Sequence, residues 1–245
     1  MTLPTSLLIA LQLLTRIPVR VNSCNDADTV RSLYWYPLVG LLIGGVLYLL
    51  ASWPTTASAA LAALVLCTWV AMTGALHLDG LADSADAWLG GHGDRTRTLE
   101  IMHDSCIGAA GAATLVLMLL GKFAALQALL EQDRVLALLG VCALSRAAVP
   151  LLYATTDYVR AGGMGEALAR GSNGVSATKV VSVSVLAVLV VLGMDGVVCA
   201  LVMGGLFFVC RLCMCRIIGG ATGDTTGATI EVLETGALLA LAVSV

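Results

Sequence analysis

"ASAALAALVLCTWVAMTGALHLDGLADSADAW", residues 57–88, runs for twenty residues without a charge and then sets three aspartates and a histidine within ten. An uncharged run of about 20 residues matches the roughly 30 Å hydrocarbon core of a bilayer. The first half therefore reads as a membrane helix and the second as the start of the polar stretch that follows it. The whole chain repeats this texture. Of its 245 residues 59% are hydrophobic and 12% charged, with a mean hydropathy of +0.95, whereas soluble domains carry roughly 25% charged residues. The expectation is an all-α, polytopic transmembrane helical bundle of about six to eight membrane helices, formed as a single domain over residues 1–245. Membrane lipid is its solvent, and self-association into a homo-oligomer is left open. The net charge of −3 provides no basic surface, which argues against a nucleic-acid partner.

Apolar runs predict spans at 37–52, 57–76, 107–126, 135–153, 179–193, 196–218 and 236–245, the last of them short. The N-terminal stretch lacks the basic start and cleavage pattern of a signal peptide. Its dozen or so uncharged residues before Arg16 are too few to span and predict an interfacial or re-entrant helix ending at Pro18. Between the runs lie long polar stretches at 20–36, 77–106, 154–178 and 219–235, and tight connections at 53–56, 131–134 and 194–195. Single crossings put every long stretch on one side. That side carries Arg16, Arg20, Arg31, Arg95, Arg97, Arg160, Arg170, Lys179, Arg211 and Arg216; Lys122 and Arg134 fall on the other, and Arg146 lies inside a span. The positive-inside bias then predicts a multi-pass protein of a bacterial inner membrane, its acids facing the cytoplasm. The absence of an internal repeat weakens an inverted-repeat transporter reading.

Eight cysteines scattered through apolar runs imply no disulfide framework. Cys210, Cys213 and Cys215 have thiolate spacing that suits zinc, but no further ligand is close in sequence, and filling of a span is the plainer reading.

If residues 77–88 are helical, Asp83 lies about 40° from Asp79 and Asp86 about 20° to the other side, so the three share a face about 10 Å long. Carboxylates that close beside a bilayer repel one another unless a cation sits among them. Oxygen-only ligation favours Mg²⁺ or Mn²⁺ over zinc. A solvated helix start would also welcome acids. It explains neither the shared face nor the crowding of six of the 16 acids into residues 79–104. All three histidines, His77, His92 and His103, lie in the same region, and His77 falls half a turn before Asp79. Glu100 and Asp104 share a helical face, while Arg95 and Arg97 could reach phosphate oxygens or pair with these acids.

A second acidic segment covers residues 219–234. Gly219, Gly223 and Gly227 recur at the small-xxx-small spacing that lets helices approach in lipid, and Asp224, Glu231 and Glu234 line a neighbouring face. Arg146 sits inside an apolar run, where a charge faces either a functional cavity or an acidic partner. Acids at span ends rather than midpoints point away from a cation-coupled transporter. These features suit a Mg²⁺-dependent membrane enzyme acting on a diphosphate, with prenyltransferases and CDP-alcohol phosphotransferases as alternatives.

The motifs "LLTRIPV" (13–19), "YPLVGLLIG" (36–44), "HLDGLADSADAW" (77–88), "RTLEIMHDSCIGAAG" (97–111), "SRAAVPLL" (145–152) and "GGATGDTTGATIEVLE" (219–234) resemble, in order, those of the cobalamin synthase (adenosylcobinamide-GDP ribazoletransferase) family. They span nearly the whole chain. The departures are His103, where the family usually has Lys or Arg, and Cys106, where a larger polar residue is common. The resemblance implies that adenosylcobinamide-GDP and α-ribazole, or its 5′-phosphate, are joined with release of GMP and with Mg²⁺ as cofactor, a late step of cobalamin biosynthesis. On that basis Asp79, Asp83, Asp86 and Asp224 are expected to hold the metal. His77, Asp86 and Asp104 are the catalytic candidates. Arg95, Glu100, Arg146, Gly223, Thr225, Glu231 and Glu234 are expected on the substrate-binding side.

Overall fold

A computed structural model describes residues 3–21, 25–160 and 164–244. Among them run twelve α-helices: α1 (Thr5–Leu14), α2 (Asp26–Ser32), α3 (Tyr36–Ala51), α4 (Ser58–Thr73), α5 (Leu76–Gly90), α6 (Arg95–Ile101), α7 (Ala109–Glu131), α8 (Ala137–Thr155), α9 (Met164–Gly171), α10 (Gly174–Leu192), α11 (Met194–Ile217) and α12 (Gly223–Val243). The described residues contain no strand beyond one isolated bridge between Tyr158 and Ala221. The fold is an all-α membrane bundle. Six helical segments are long and apolar enough to cross a bilayer: the continuous α2–α3 unit, α7, α8, α10, α11 and α12. The bent pair α4–α5 makes up to a seventh.

Packing follows from small residues. A Cβ on Gly40 would fall 2.2 Å from the Cys142 carbonyl oxygen, and one on Gly44 would fall 2.7 Å from that of Leu138. Helices α3 and α8 therefore meet backbone to backbone, since in lipid close van der Waals approach replaces the hydrophobic drive. With α12, α8 forms the most buried part of the bundle.

The span expected at 57–76 ends at Thr73, and α5 begins at Leu76. Gly74 and Ala75 both take left-handed backbone angles (φ +63° and +58°), and α5 leaves α4 at 86°. Ala75 accepts a conformation costing roughly 1–2 kcal/mol for a residue with a Cβ. The gain is that α5 turns across the mouth of the bundle.

The two ends are tied differently. At one end Arg134 donates to Asp195 (2.6 Å) and to the Leu241 carbonyl (2.6 Å), and Ser58 donates to Glu131 (2.7 Å). These bonds gather the three tight connections and the end of α12. The long polar connections gather at the opposite end, as the alternation of the sequence requires.

Three expectations about the helices need correction. The last span is not 236–245 but α12, beginning at Gly223; Val245 lies outside the described residues. A capping box starts it, with Thr222 N donating to Thr225 Oγ1 (2.9 Å) and Thr225 N to Thr222 Oγ1 (3.2 Å). Its acids do not end the helix, because cations from α7 and α8 meet them inside the bundle. Lys122 lies at neither end but is buried within α7. The N-terminal helix is short and apolar as expected, and stops at Leu14 rather than Pro18.

Candidate active site

Helix α5, turned away from α4, lies across the first turns of α7 and α12, and two sets of contacts hold it there. A Cβ on Gly80 would fall 2.6 Å from the Asp224 carbonyl oxygen, and one on Gly227 would fall 3.2 Å from His77 Cα. Further along, Asp86 accepts hydrogen bonds from Gly108 N (2.7 Å) and Gly111 N (2.8 Å). It thereby caps α7 from a neighbouring helix, satisfying amides that have no carbonyl one turn back.

This crossing brings Asp79 and Asp83 of α5 near Asp224 at the start of α12. Burial first, and then the negative charges of Asp79, Asp224 and Asp86, push the Asp83 carboxyl up to about 6, with Arg160 acting in the opposite sense. A cavity of about 480 Å³ opens beside them. His77, Asp79, His103, Arg160 and Asp224 bring polar groups to it, while Tyr153, Val149 and Ile230 supply apolar wall.

Arg160 reaches the cavity because the chain after α8 pairs with the turn before α12. Val159 N donates to the Ala221 carbonyl (3.0 Å) and Ala221 N to that of Asp157 (2.7 Å). Gly220 allows the approach, since a Cβ there would fall 2.2 Å from the Asp157 carbonyl oxygen. The guanidinium donates to Asp224 Oδ2 (2.7 Å) and, through its other terminal nitrogen, to His103 Nδ1 (2.8 Å). His103 must then carry its proton on Nε2.

His77 is buried against the cavity, and its Nδ1 has no hydrogen-bond partner. Burial, and then the charges of Arg146 and Lys122, hold its imidazole well below the ordinary range, so it is neutral at pH 7. Deeper in the bundle Lys122 Nζ lies 2.6 Å from Glu231 and 2.7 Å from Glu234 and stands 4.4 Å from the centre of the Trp69 ring. Arg146 pairs with the other oxygen of Glu234.

Of the residues expected from sequence, His77, Asp79, Asp83, Gly223 and Asp224 come together at or beside the cavity. Arg95 and Glu100 share a shallow, exposed depression with His103. Asp104 is exposed, accepts from Cys106 N (3.0 Å) and does not line the cavity. Four residues expected on the substrate side lie away from the cavity lining. Arg146, Glu231 and Glu234 are buried and paired with one another or with Lys122, and the Thr225 hydroxyl is enclosed in the α12 cap. None of them lines the cavity. Asp86 has an amide on each oxygen, which makes it a cap for α7 in this state.

Asp79 and Asp224 line the cavity and Asp83 lies near them, and the three carboxylates offer oxygens alone, the chemistry of a hard cation such as Mg²⁺. Among the described residues no three His, Cys, Asp or Glu side chains enclose a single metal position.

The family model for cobalamin-5-phosphate synthase matches residues 6–242. The chain belongs to the cobalamin-5-phosphate synthase family. Its similarity to curated members extends end to end. It is 50% identical over 236 residues to an adenosylcobinamide-GDP ribazoletransferase of Pseudomonas fluorescens, covering 96% of this chain and 97% of that protein. It is 47% identical over 241 residues to the protein of that name from Stutzerimonas stutzeri, covering 98% of both, and 47% identical over 239 residues to that of Pseudomonas aeruginosa, covering 97% of both. No solved structure matches.

For a cobalamin-5-phosphate synthase family chain, two residues stand out that sequence reasoning passed over. Lys122 carried a legible signal, a lone charge within the uncharged run 107–126, the same signal that singled out Arg146. Arg160 carried none; only the bridge between two distant connections brings it to Asp224.

Proposed function

We propose that this protein is an adenosylcobinamide-GDP ribazoletransferase, joining adenosylcobinamide-GDP to α-ribazole or its 5′-phosphate and releasing GMP. The observation that carries the reading is the end-to-end identity of about half with relatives of that name, combined with an acidic, cation-seeking cavity at the mouth of the bundle. Transfer between phosphate esters depends on positioning and charge neutralisation more than on covalent work by the protein.

Asp79, Asp83 and Asp224 would hold Mg²⁺, which when bound supplies charge neutralisation for the diphosphate. Arg160 lies beside them and offers a two-pronged donor for phosphate oxygens. His77 is the base the geometry favours over Asp104. It lines the cavity and its Nδ1 has no hydrogen-bond partner, so a small movement of the ring would let it accept the proton of the attacking ribazole hydroxyl. Arg95 and Glu100 form an exposed shelf next to His103, where the nucleotide end of the substrate would rest. We further propose a bacterial inner-membrane location with this mouth facing the cytoplasm, in keeping with the basic residues collected at that end.

The test is direct. Purified protein in lipid is incubated with adenosylcobinamide-GDP, ribazole phosphate and Mg²⁺, and GMP and the completed corrinoid are measured. Absence of a Mg²⁺-dependent product from folded protein would reject the assignment.

A further inference from the structure

We infer that Arg160 is a built-in stand-in for the metal: it neutralises Asp224 while the cavity is free of substrate and moves to the diphosphate when substrate and cation arrive together. The inference rests on the proposed transferase function and goes beyond it by assigning a gate to a residue outside the acidic motifs.

Two observations carry it. The guanidinium divides its two terminal nitrogens between Asp224 and His103, so one of the two carboxylates lining the cavity, Asp79 and Asp224, already has a cation. In addition, the backbone beside Arg160 is fastened by the Val159–Ala221 and Ala221–Asp157 hydrogen bonds. The long side chain can therefore change partners while its base stays in place.

The exchange balances charge. Asp224 passes from guanidinium to divalent cation, and the planar fork passes from carboxylate to phosphate oxygens, for which its geometry is equally suited. His103, a neutral acceptor, gives the fork its second resting contact. A cation alone must displace Arg160 with nothing to receive it, whereas a cation with a diphosphate provides the receiver. Binding of the two should be positively coupled, and such coupling is reciprocal.

The experiment measures Mn²⁺ binding by electron paramagnetic resonance on purified protein in lipid nanodiscs, with and without GDP, for wild type, Arg160→Gln and Arg160→Lys. In wild type GDP should tighten Mn²⁺ binding. In Arg160→Gln, Mn²⁺ alone should bind about tenfold more tightly than in wild type and the effect of GDP should largely disappear, a coupling of ordinary size. Arg160→Lys keeps the charge on Asp224 but cannot fork, so it should keep wild-type Mn²⁺ binding while KM for adenosylcobinamide-GDP rises. Circular dichroism and monodisperse elution confirm that each variant is folded, and the charge-conserving lysine variant carries the test if glutamine fails to fold. Equal Mn²⁺ affinity in wild type and Arg160→Gln, with GDP still tightening both, overturns the role of Arg160 alone. No Mn²⁺ bound by either protein with GDP present overturns the cation site itself.

Discussion

Replacing Lys122 by Met tests the ionic core beneath the site. Lys122 is the sole hydrogen-bonding partner of Glu231 among the described residues, whereas Glu234 keeps Arg146. The substitution strands one buried carboxylate. Removing one member of a buried pair costs about 3–5 kcal/mol, to which loss of the cation over Trp69 adds roughly 0.5–2 kcal/mol. Methionine fills most of the vacated volume, so the cavity contribution is small. For a chain of this size each kcal/mol moves the midpoint by about 2–4 °C, so a total of about 3.5–7 kcal/mol gives a fall of roughly 7–28 °C. Thermal unfolding in lipid nanodiscs, followed by circular dichroism and by the emission of buried Trp69, reads it directly. The double variant Lys122→Met with Glu231→Gln removes the stranded charge and should recover more than half of the loss. A single variant melting within about 2 °C of wild type, or a double variant no better than the single, would refute the argument that unpaired charge sets the cost.

Three further predictions follow from the mouth of the bundle. Asp86→Ala removes the acceptors for Gly108 N and Gly111 N and should cost about 1–2 kcal/mol as a lost helix cap, with Asp86→Asn recovering part; an alanine variant as stable as wild type discards the capping role. Gly80→Ala places a Cβ 2.6 Å from the Asp224 carbonyl oxygen, so α5 must part from α12 at about 1–3 kcal/mol, and GMP release should fall steeply even in folded protein. For pH, Asp83 titrates near 6 in the folded protein against an ordinary value of 3.8, so the native state holds this proton more tightly than the unfolded chain. Without cation, its contribution makes stability decline as pH rises from about 4 to about 6 and then level off. Stabilisation by added Mg²⁺ needs the carboxylate and should weaken as pH falls below about 6. Melting curves at two pH values with and without Mg²⁺ check both trends, and Asp83→Asn should remove them.

Local composition settled a good deal of this protein. Uncharged runs as long as a bilayer is thick dictate membrane helices, and alternating long and tight connections dictate which ends gather. Helical spacing alone puts Asp79, Asp83 and Asp86 on one face, because one residue follows another by a constant angle. Tertiary structure decided which of those acids are free. Asp86 is taken by the amides of α7, while Glu231 and Glu234 are met inside the bundle by Lys122 and Arg146, a pairing that depends on the rotation of three helices about their own axes. It also decided that residues 57–88 bend at Gly74 and Ala75 rather than run straight, and that Arg160 arrives beside Asp224. The opening segment showed that acids sit next to lipid. Whether each acid meets an amide, a buried cation or an open cavity is a matter of long-range packing, which no short stretch of sequence contains.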